Sequence, residues 1–422
     1  MRWSWKTLPM CDFNDRRVVL RLLAGGQDHV ALQRLGSLDE DDCAELLRWL
    51  DQSGLALYLA GHLADSRMLD LLPIYLRSEL ERRVYANRDR TDDLSREFDR
   101  VNRALRNAGI EYAVLKGFAL TPEFCEQACL RHQTDIDILV NEDWLQSASK
   151  SLAAIGYSKE GEERSGEIRL GIWSGRPASA NDFLYDLQRH RQVEIHRSFY
   201  ESVNGVSLRP TEEWSSHVEW KIVEGVEFPS LDLPYRVLGQ LLHAFRHVLH
   251  GWLRVGWLYE INHVVRQHRS DSELWKRVEG LMLDDVRVRE ACGVVLSMTA
   301  EAFGTELPEL LQRRCVAPMR KPLILWLDSF GMEWLLSDFP GSRLSLLLHR
   351  EFADSTKAWQ QFRIARSKRR LGAITLRKLA NPVFLARRFR EQVEYFRQYL
   401  YWNMQVSKRS IEREGSIPHS SR

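Results

Sequence analysis

Thr134-Asp135-Ile136-Asp137-Ile138-Leu139-Val140 is the stretch whose reading decides the fold. Its β-branched and aliphatic side chains predict a strand. On a strand, side chains two apart share a face and sit about 7 Å apart along the chain. Asp135 and Asp137 therefore project together, while Ile136 and Ile138 point the other way, into a core. Two carboxylates on a rigid strand repel one another unless a cation lies between them. Mg²⁺ suits that place, with Mn²⁺ as the alternative, because hard cations take one or two carboxylates together with substrate phosphates. The pattern points to metal-assisted phosphoryl or nucleotidyl transfer. A lone D-x-D also occurs in surface turns and solvated strand edges, so its neighbours have to decide.

Upstream, Ile110-Glu-Tyr-Ala-Val-Leu115 reads as a second strand running into Lys116-Gly117. A helix over 118–130 follows, with Leu120, Phe124 and Ala128 on one face. Gly117 lets backbone approach a phosphate with no Cβ in the way. The helix start supplies free N–H groups to an anion. Downstream, a helix from Asp143 to Leu152 is capped by Asn141 or Asp143 and ended by Gly156.

A third carboxylate comes from Gln192-Val193-Glu194-Ile195-His196, whose alternation puts Glu194 on the polar face beside Gln192 and His196. If this strand pairs beside the aspartate strand, Glu194 joins Asp135 and Asp137 around the metal. There it can also act as general base on an attacking hydroxyl. An edge strand with a solvated outer face fits the segment equally well.

Taken together, Leu115-Lys116-Gly117, Arg131, Asp135-Ile-Asp-Ile-Leu-Val140, Gly156-Tyr157 and Val193-Glu-Ile-His196 resemble the uncharacterised bacterial nucleotidyltransferase family, within the polymerase-β-type superfamily. The resemblance covers roughly residues 85–265. It implies an α+β fold, a small mixed sheet flanked by helices, with Asp135, Asp137 and Glu194 holding Mg²⁺. It implies an NTP donor, ATP among the candidates, and an acceptor hydroxyl, phosphate or protein side chain. Lys116, Gly117, Arg131 and His196 then lie on the nucleotide or its phosphates. The wider superfamily usually has Gly-Ser at the phosphate turn and a shorter gap to the aspartates. Here Lys116-Gly117 stands instead, and Lys116 can supply a cation where the serine is missing.

Composition agrees with an enzyme of the cytoplasm. The 422 residues allow two or three domains, and 28% charged with 44% hydrophobic residues is ordinary for a soluble chain. Six cysteines form no C-x-x-C pair, so reduced thiols are expected. Cys125 and Cys129 lie one helical turn apart, but zinc would need two further partners. No apolar run reaches membrane-spanning length, and Met-Arg-Trp-Ser-Trp-Lys has no signal-peptide core.

The flanks read as helical. Residues 1–85 form a helical N-terminal domain: Asp15–Leu23 is a short amphipathic helix, Ser37 with Glu40 makes a capping box, and Pro73 opens a long helix that stops at Asn107-Ala108-Gly109. Residues 86–230 form the catalytic core, and within it Ile168–Trp173 and Phe183–Leu187 are added strands, with Ser174–Ser179 as a loop toward the acceptor. Residues 231–356 are helical, with Val237, Leu241, Ala244 and Val248 on one stripe and His243, His247 and His250 on another. No acidic ligand lies at a useful offset among those histidines, which favours a pocket-lining or core-edge role over metal binding. His247 and Arg254, near the Trp252–Trp257 segment, are expected to face the nucleotide or acceptor.

Residues 357–422 carry 16 Lys/Arg against 4 Asp/Glu, a balance of +12 in a chain of net charge +2. Aromatic residues are interleaved with these charges. That mixture fits a solvated helix packing its rings on the domain. It also fits an anionic membrane surface or RNA. Two function classes remain open: an active nucleotidyltransferase whose acceptor is a small molecule, glycan precursor or protein, and a catalytically silent nucleotide-binding or scaffold protein. A D-x-D glycosyltransferase fits less well, because no extended βαβ series precedes the aspartates.

Overall fold

The computed structural model describes residues 13–25, 28–160, 167–171, 183–187, 192–200, 205–208, 210, 214–282, 285–337, 344–372, 393 and 395–404. It is a mixed α+β fold. Four helices open it: α1 (Phe13–Leu23), α2 (His29–Gly36), α3 (Glu40–Ser53) and α4 (Ala56–Asp65). The cap of α3 differs from expectation. Asp39 accepts from the Asp42 N–H at 2.8 Å, while Ser37 ends α2. A carboxylate two residues nearer the helix simply outcompetes the serine as N-cap.

Helix α5 (Ile74–Asn107) starts after Pro73 and runs 34 residues without a break, ending where Gly109 takes φ +67°. Leu94, Phe98, Val101 and Leu105 form its buried apolar stripe, whereas the middle of the helix buries Arg83, Asn87, Arg90 and Thr91. The boundary placed at 85/86 falls inside this helix. Buried residues of α1–α4 share one core with those of the helices after Leu233.

Seven strands form one mixed sheet: β1 (Tyr112–Val114), β2 (Asp135–Val140), β3 (Ser158–Lys159), β4 (Glu167–Gly171), β5 (Gln192–His196), β6 (Val218–Val223) and β7 (Val226–Leu231). Their order is β3-β4-β5-β2-β1-β7-β6, with β2 parallel to β5 and antiparallel to β1. One face, carrying Ile136, Ile138, Val193 and Ile195, packs on α5 and on α6 (Leu145–Ala154). Burying such side chains gains about 1.5–3 kcal/mol each, which fixes the register that turns Asp135 and Asp137 to the opposite face.

Two expectations fail here. Residues 118–130 are not a helix but two short 3₁₀ turns, Gly117–Leu120 and Ala128–Leu130. Pro122 lacks an N–H and pushes Thr121 into an extended conformation, so helix cannot propagate. Leu120 and Phe124 are nevertheless fully buried, which explains the helix-like spacing. Arg236 compensates the backbone by donating to the Ala119 carbonyl at 2.8 Å while pairing with Glu123. Residues 183–187 form turns rather than a strand, with Tyr185 alone deeply buried. The loop 174–179 and the segment 161–166 lie outside the described residues.

After the sheet come α7 (Leu233–His250), α8 (Val255–Gln267), α9 (Ser272–Gly280), α10 (Val286–Phe303), α11 (Glu309–Leu311), α12 (Lys321–Trp326), α13 (Met332–Leu336), α14 (Ser345–Phe352) and α15 (Thr356–Gly372). Val237, Leu241, Ala244 and Val248 of α7 are buried as expected, covering the aspartate face of the sheet together with α8. In the basic C-terminal segment Trp402 is buried and Tyr395 and Tyr399 pack on the core, while Phe396 and Tyr401 are exposed. Phe384, Phe389 and residues 405–422 lie outside the described residues. Among the described residues no helix is long and apolar enough to cross a membrane.

Candidate metal and phosphate site

The register of β2 against β5 builds the site. Asp137 lies opposite Glu194, Asp135 opposite Gln192 and Leu139 opposite His196, so three carboxylates and an imidazole share one face of two adjacent parallel strands. Asp137 is 3% exposed, Glu194 9% and His196 2%. Backbone fixes the fifth member, because the Leu115 N–H donates to the Asp137 carbonyl and so delivers Lys116 beside it. The Lys116 Nζ donates to Asp137 Oδ1 at 2.9 Å, and His196 Nε2 lies 2.8 Å from the same oxygen. Because a carboxylate only accepts, that contact puts the imidazole proton on Nε2.

Crowding drives the two aspartates apart electrostatically. Burial and the Asp137 charge push the Asp135 carboxyl up, outweighing Lys116, Arg131 and Arg254. Burial acts on Asp137 in the same direction, but Lys116 and His196 overcome it and hold that group well below the usual carboxylate range. The two carboxyls are thus pushed in opposite directions, Asp137 down by its two partners and Asp135 up by burial and its like-charged neighbour. Ligand atoms of Asp137, Glu194 and His196 all lie within 4.8 Å of one another, which is the grouping able to hold a metal ion. A small cleft opens beside it, lined by Lys116, His196, Ser198, Tyr200, His243 and Arg246 among others.

Not every expected site residue joins this cluster. Asp135, Asp137, Glu194, His196 and Lys116 do. Gly117 has φ +64°, and a Cβ there would stand 2.2 Å from Gln133 Nε2. That amide donates to the Asp135 carbonyl at 2.9 Å, so the glycine makes room for a brace on the aspartate strand. The helix N-terminus expected after it is only the four-residue 3₁₀ turn. Arg131 is engaged elsewhere: its Nε donates to Glu260 Oε1 on α8 at 2.9 Å, and the Tyr58 hydroxyl of α4 donates to the same oxygen at 2.8 Å.

His247 sits in a ring cluster, 3.9 Å from Trp252, 4.5 Å from Trp257 and 4.5 Å from His243 between centroids. Burial, then neighbouring cations, holds His243 and His247 well below the usual imidazole range, so both are neutral at pH 7. Arg254 lies over Trp257 at 5.9 Å, and its charge reaches Asp135.

Several residues were not anticipated. Arg169 on β4 reaches Glu194 Oε1 at 3.1 Å because the antiparallel register sets the two opposite. Aligning the alternation of 168–173 against that of 192–196 would have found it. Glu260 carried a fainter signal: one acid among the apolar positions Leu258, Ile261, Val264 and Val265 of α8. Asn87 and Arg90, which donate to the carbonyls of Cys129, Arg131 and Gln133, showed only as polar residues on the buried stripe of α5.

A family model described as an uncharacterised nucleotidyltransferase matches residues 39–304, a span from the start of α3 to the end of α10 that contains the whole site. No curated protein and no solved structure matches the chain.

Proposed function

The chain belongs to the uncharacterised nucleotidyltransferase family, and from that premise we propose a divalent-cation-dependent nucleotidyltransferase of the polymerase-β type. It moves a nucleotidyl group from an NTP to an acceptor hydroxyl, phosphate or side chain on a small molecule, glycan precursor or protein. The observation that carries this reading is the buried, in-register Asp137–Glu194 pair, with half-buried Asp135 two residues along the same face.

Mg²⁺ or Mn²⁺ fits the residues present. Carboxylate oxygens dominate the donor set, and the raised Asp135 carboxyl marks negative charge that the resident cations leave uncompensated. When bound, the cation would neutralise charge on the triphosphate and orient it for displacement. Asp135, Asp137 and Glu194 would hold it. Lys116, which lines the cleft, would add a positive charge toward the phosphates. Glu194 accepts the proton of the attacking hydroxyl, with Arg169 holding its other side. Arg254 and the His247–Trp257 ring cluster border the side where the base or acceptor lies.

One observation favours a second reading, a nucleotide-binding protein that transfers nothing: Asp137 Oδ1 already takes both Lys116 and His196. Incubation of the protein with labelled NTPs, Mg²⁺ and cell extract separates the two. Label passing to an acceptor with wild type but not with D135A/D137A supports transfer. Intact NTP binding with no transfer supports the silent protein.

A further inference from the structure

We propose that His196 is a direct ligand of the divalent cation, so that the site is an N,O,O set from His196, Asp137 and Glu194 that holds Mn²⁺ in preference to Mg²⁺. The inference deepens the metal-site reading above and rests on it.

The argument is geometric. Ligands at about 2.0–2.2 Å from one cation stand about 3 Å apart when at right angles and about 4.3 Å apart when opposite. His196 Nε2 lies 2.8 Å from Asp137 Oδ1 and 3.8 Å from Glu194 Oε2, and the atoms of all three residues fall within 4.8 Å. The two histidine separations, 2.8 and 3.8 Å, fall within the range of one coordination sphere without moving a backbone atom. Strand alternation enforces them, since Glu194 and His196 are two apart on β5 and Asp137 faces Glu194 across the ladder.

His196 is 2% exposed, so no bulk water competes for its nitrogen. The Nε2 proton shared with Asp137 occupies the place a cation would take. A neutral ring that ligates through Nε2 carries its single proton on Nδ1 instead, and an imidazolium gives its second proton to solvent. Mg²⁺ demands oxygen donors, whereas Mn²⁺ accepts carboxylate and imidazole together, so replacing an oxygen by Nε2 penalises Mg²⁺ more. Asp135, two residues along the same strand face, would add its carboxylate to the same cation as in the reading above.

The test is pulsed electron paramagnetic resonance on the full chain loaded with Mn²⁺ alone, without nucleotide. Wild type should show nitrogen-14 modulation from a directly bonded imidazole, and Mg²⁺ should displace Mn²⁺ only in excess. H196Q should lose the modulation and bind Mn²⁺ at least about 10-fold more weakly, on the scale seen when even an outer partner of a ligand is removed. Nitrogen-15 histidine in wild type should convert the modulation correspondingly, which gives the answer even where H196Q does not fold. Bound Mn²⁺ with no nitrogen modulation, or modulation unchanged in H196Q, overturns the inference and leaves an oxygen-only metal site standing. Failure of wild type to bind Mn²⁺ at all overturns the inference and the metal site together. Nitrogen modulation in a protein that transfers no nucleotide sinks only the enzymatic reading.

Discussion

Replacing Glu260 by alanine should damage the protein far more than its distance from the chemistry suggests. The carboxylate is 2% exposed and takes both Arg131 Nε and the Tyr58 hydroxyl on a single oxygen. Deleting it strands a guanidinium whose side chain is only 12% exposed. Removing one partner of such a buried pair costs about 3–5 kcal/mol, because the remaining charge has lost its compensation. Arg131 stands four residues before Asp135 and its charge already reaches that carboxylate, so the freed guanidinium should draw closer to it and compete with a cation there. The paired change R131M/E260M removes both charges and should recover most of the loss. It should leave about 1 kcal/mol for the orphaned Tyr58 hydroxyl. Equilibrium unfolding in urea, followed by tryptophan fluorescence, of wild type, R131M, E260M and R131M/E260M gives the four corners of the cycle. A value for E260A within about 1 kcal/mol of wild type, or additive behaviour in the double variant, would refute the reasoning.

Four more outcomes follow from the same geometry. D135N should raise the melting temperature of metal-free protein at pH 7 while abolishing transfer. The raised folded-state carboxyl makes ionised Asp135 a cost at high pH that fades as pH falls through its folded value, so the gain should shrink on acidification. D137N should do the reverse: a depressed carboxyl contributes stability above its unfolded value of about 3.9, lost as pH falls, and wild type should lose its advantage over the variant in acid. G117A should cost about 1–3 kcal/mol by chemical denaturation, since it strains a φ of +64° and displaces Gln133; an unchanged midpoint would remove Gln133 as the brace. R254A should weaken NTP affinity in a filter-binding assay without altering Mn²⁺ affinity.

Where the sequence was legible, one local period carried the information. The alternation in 134–140 and 192–196 marked both strands and the polar face of each, whereas an edge position for the second fitted equally well, and it is the ladder that sets the two side by side to hide Ile136, Ile138, Val193 and Ile195. Long helices with capped ends, α5 and α7, were legible for the same reason. Segment 118–130 misled because Leu120, Phe124 and Ala128 are buried at helical spacing although Pro122 forbids the helix. Arg131 misled differently. The family resemblance implied a phosphate contact for it, whereas its partner Glu260 is 129 residues away and no local pattern announces a pairing of that range. His196 was placed among the phosphate contacts, and only the register shows its Nε2 within ligand distance of Asp137 and Glu194.

The most direct test of the account follows the position of the label. Parallel reactions contain NTP labelled at the α- or at the γ-phosphorus, a divalent cation, acceptor extract, and either wild type or D135A/D137A. The account predicts that α-label enters the acceptor while γ-label leaves as pyrophosphate, and that both events stop in the double variant. Transfer of γ-label to the acceptor, or equal transfer of α-label by wild type and variant, would contradict it.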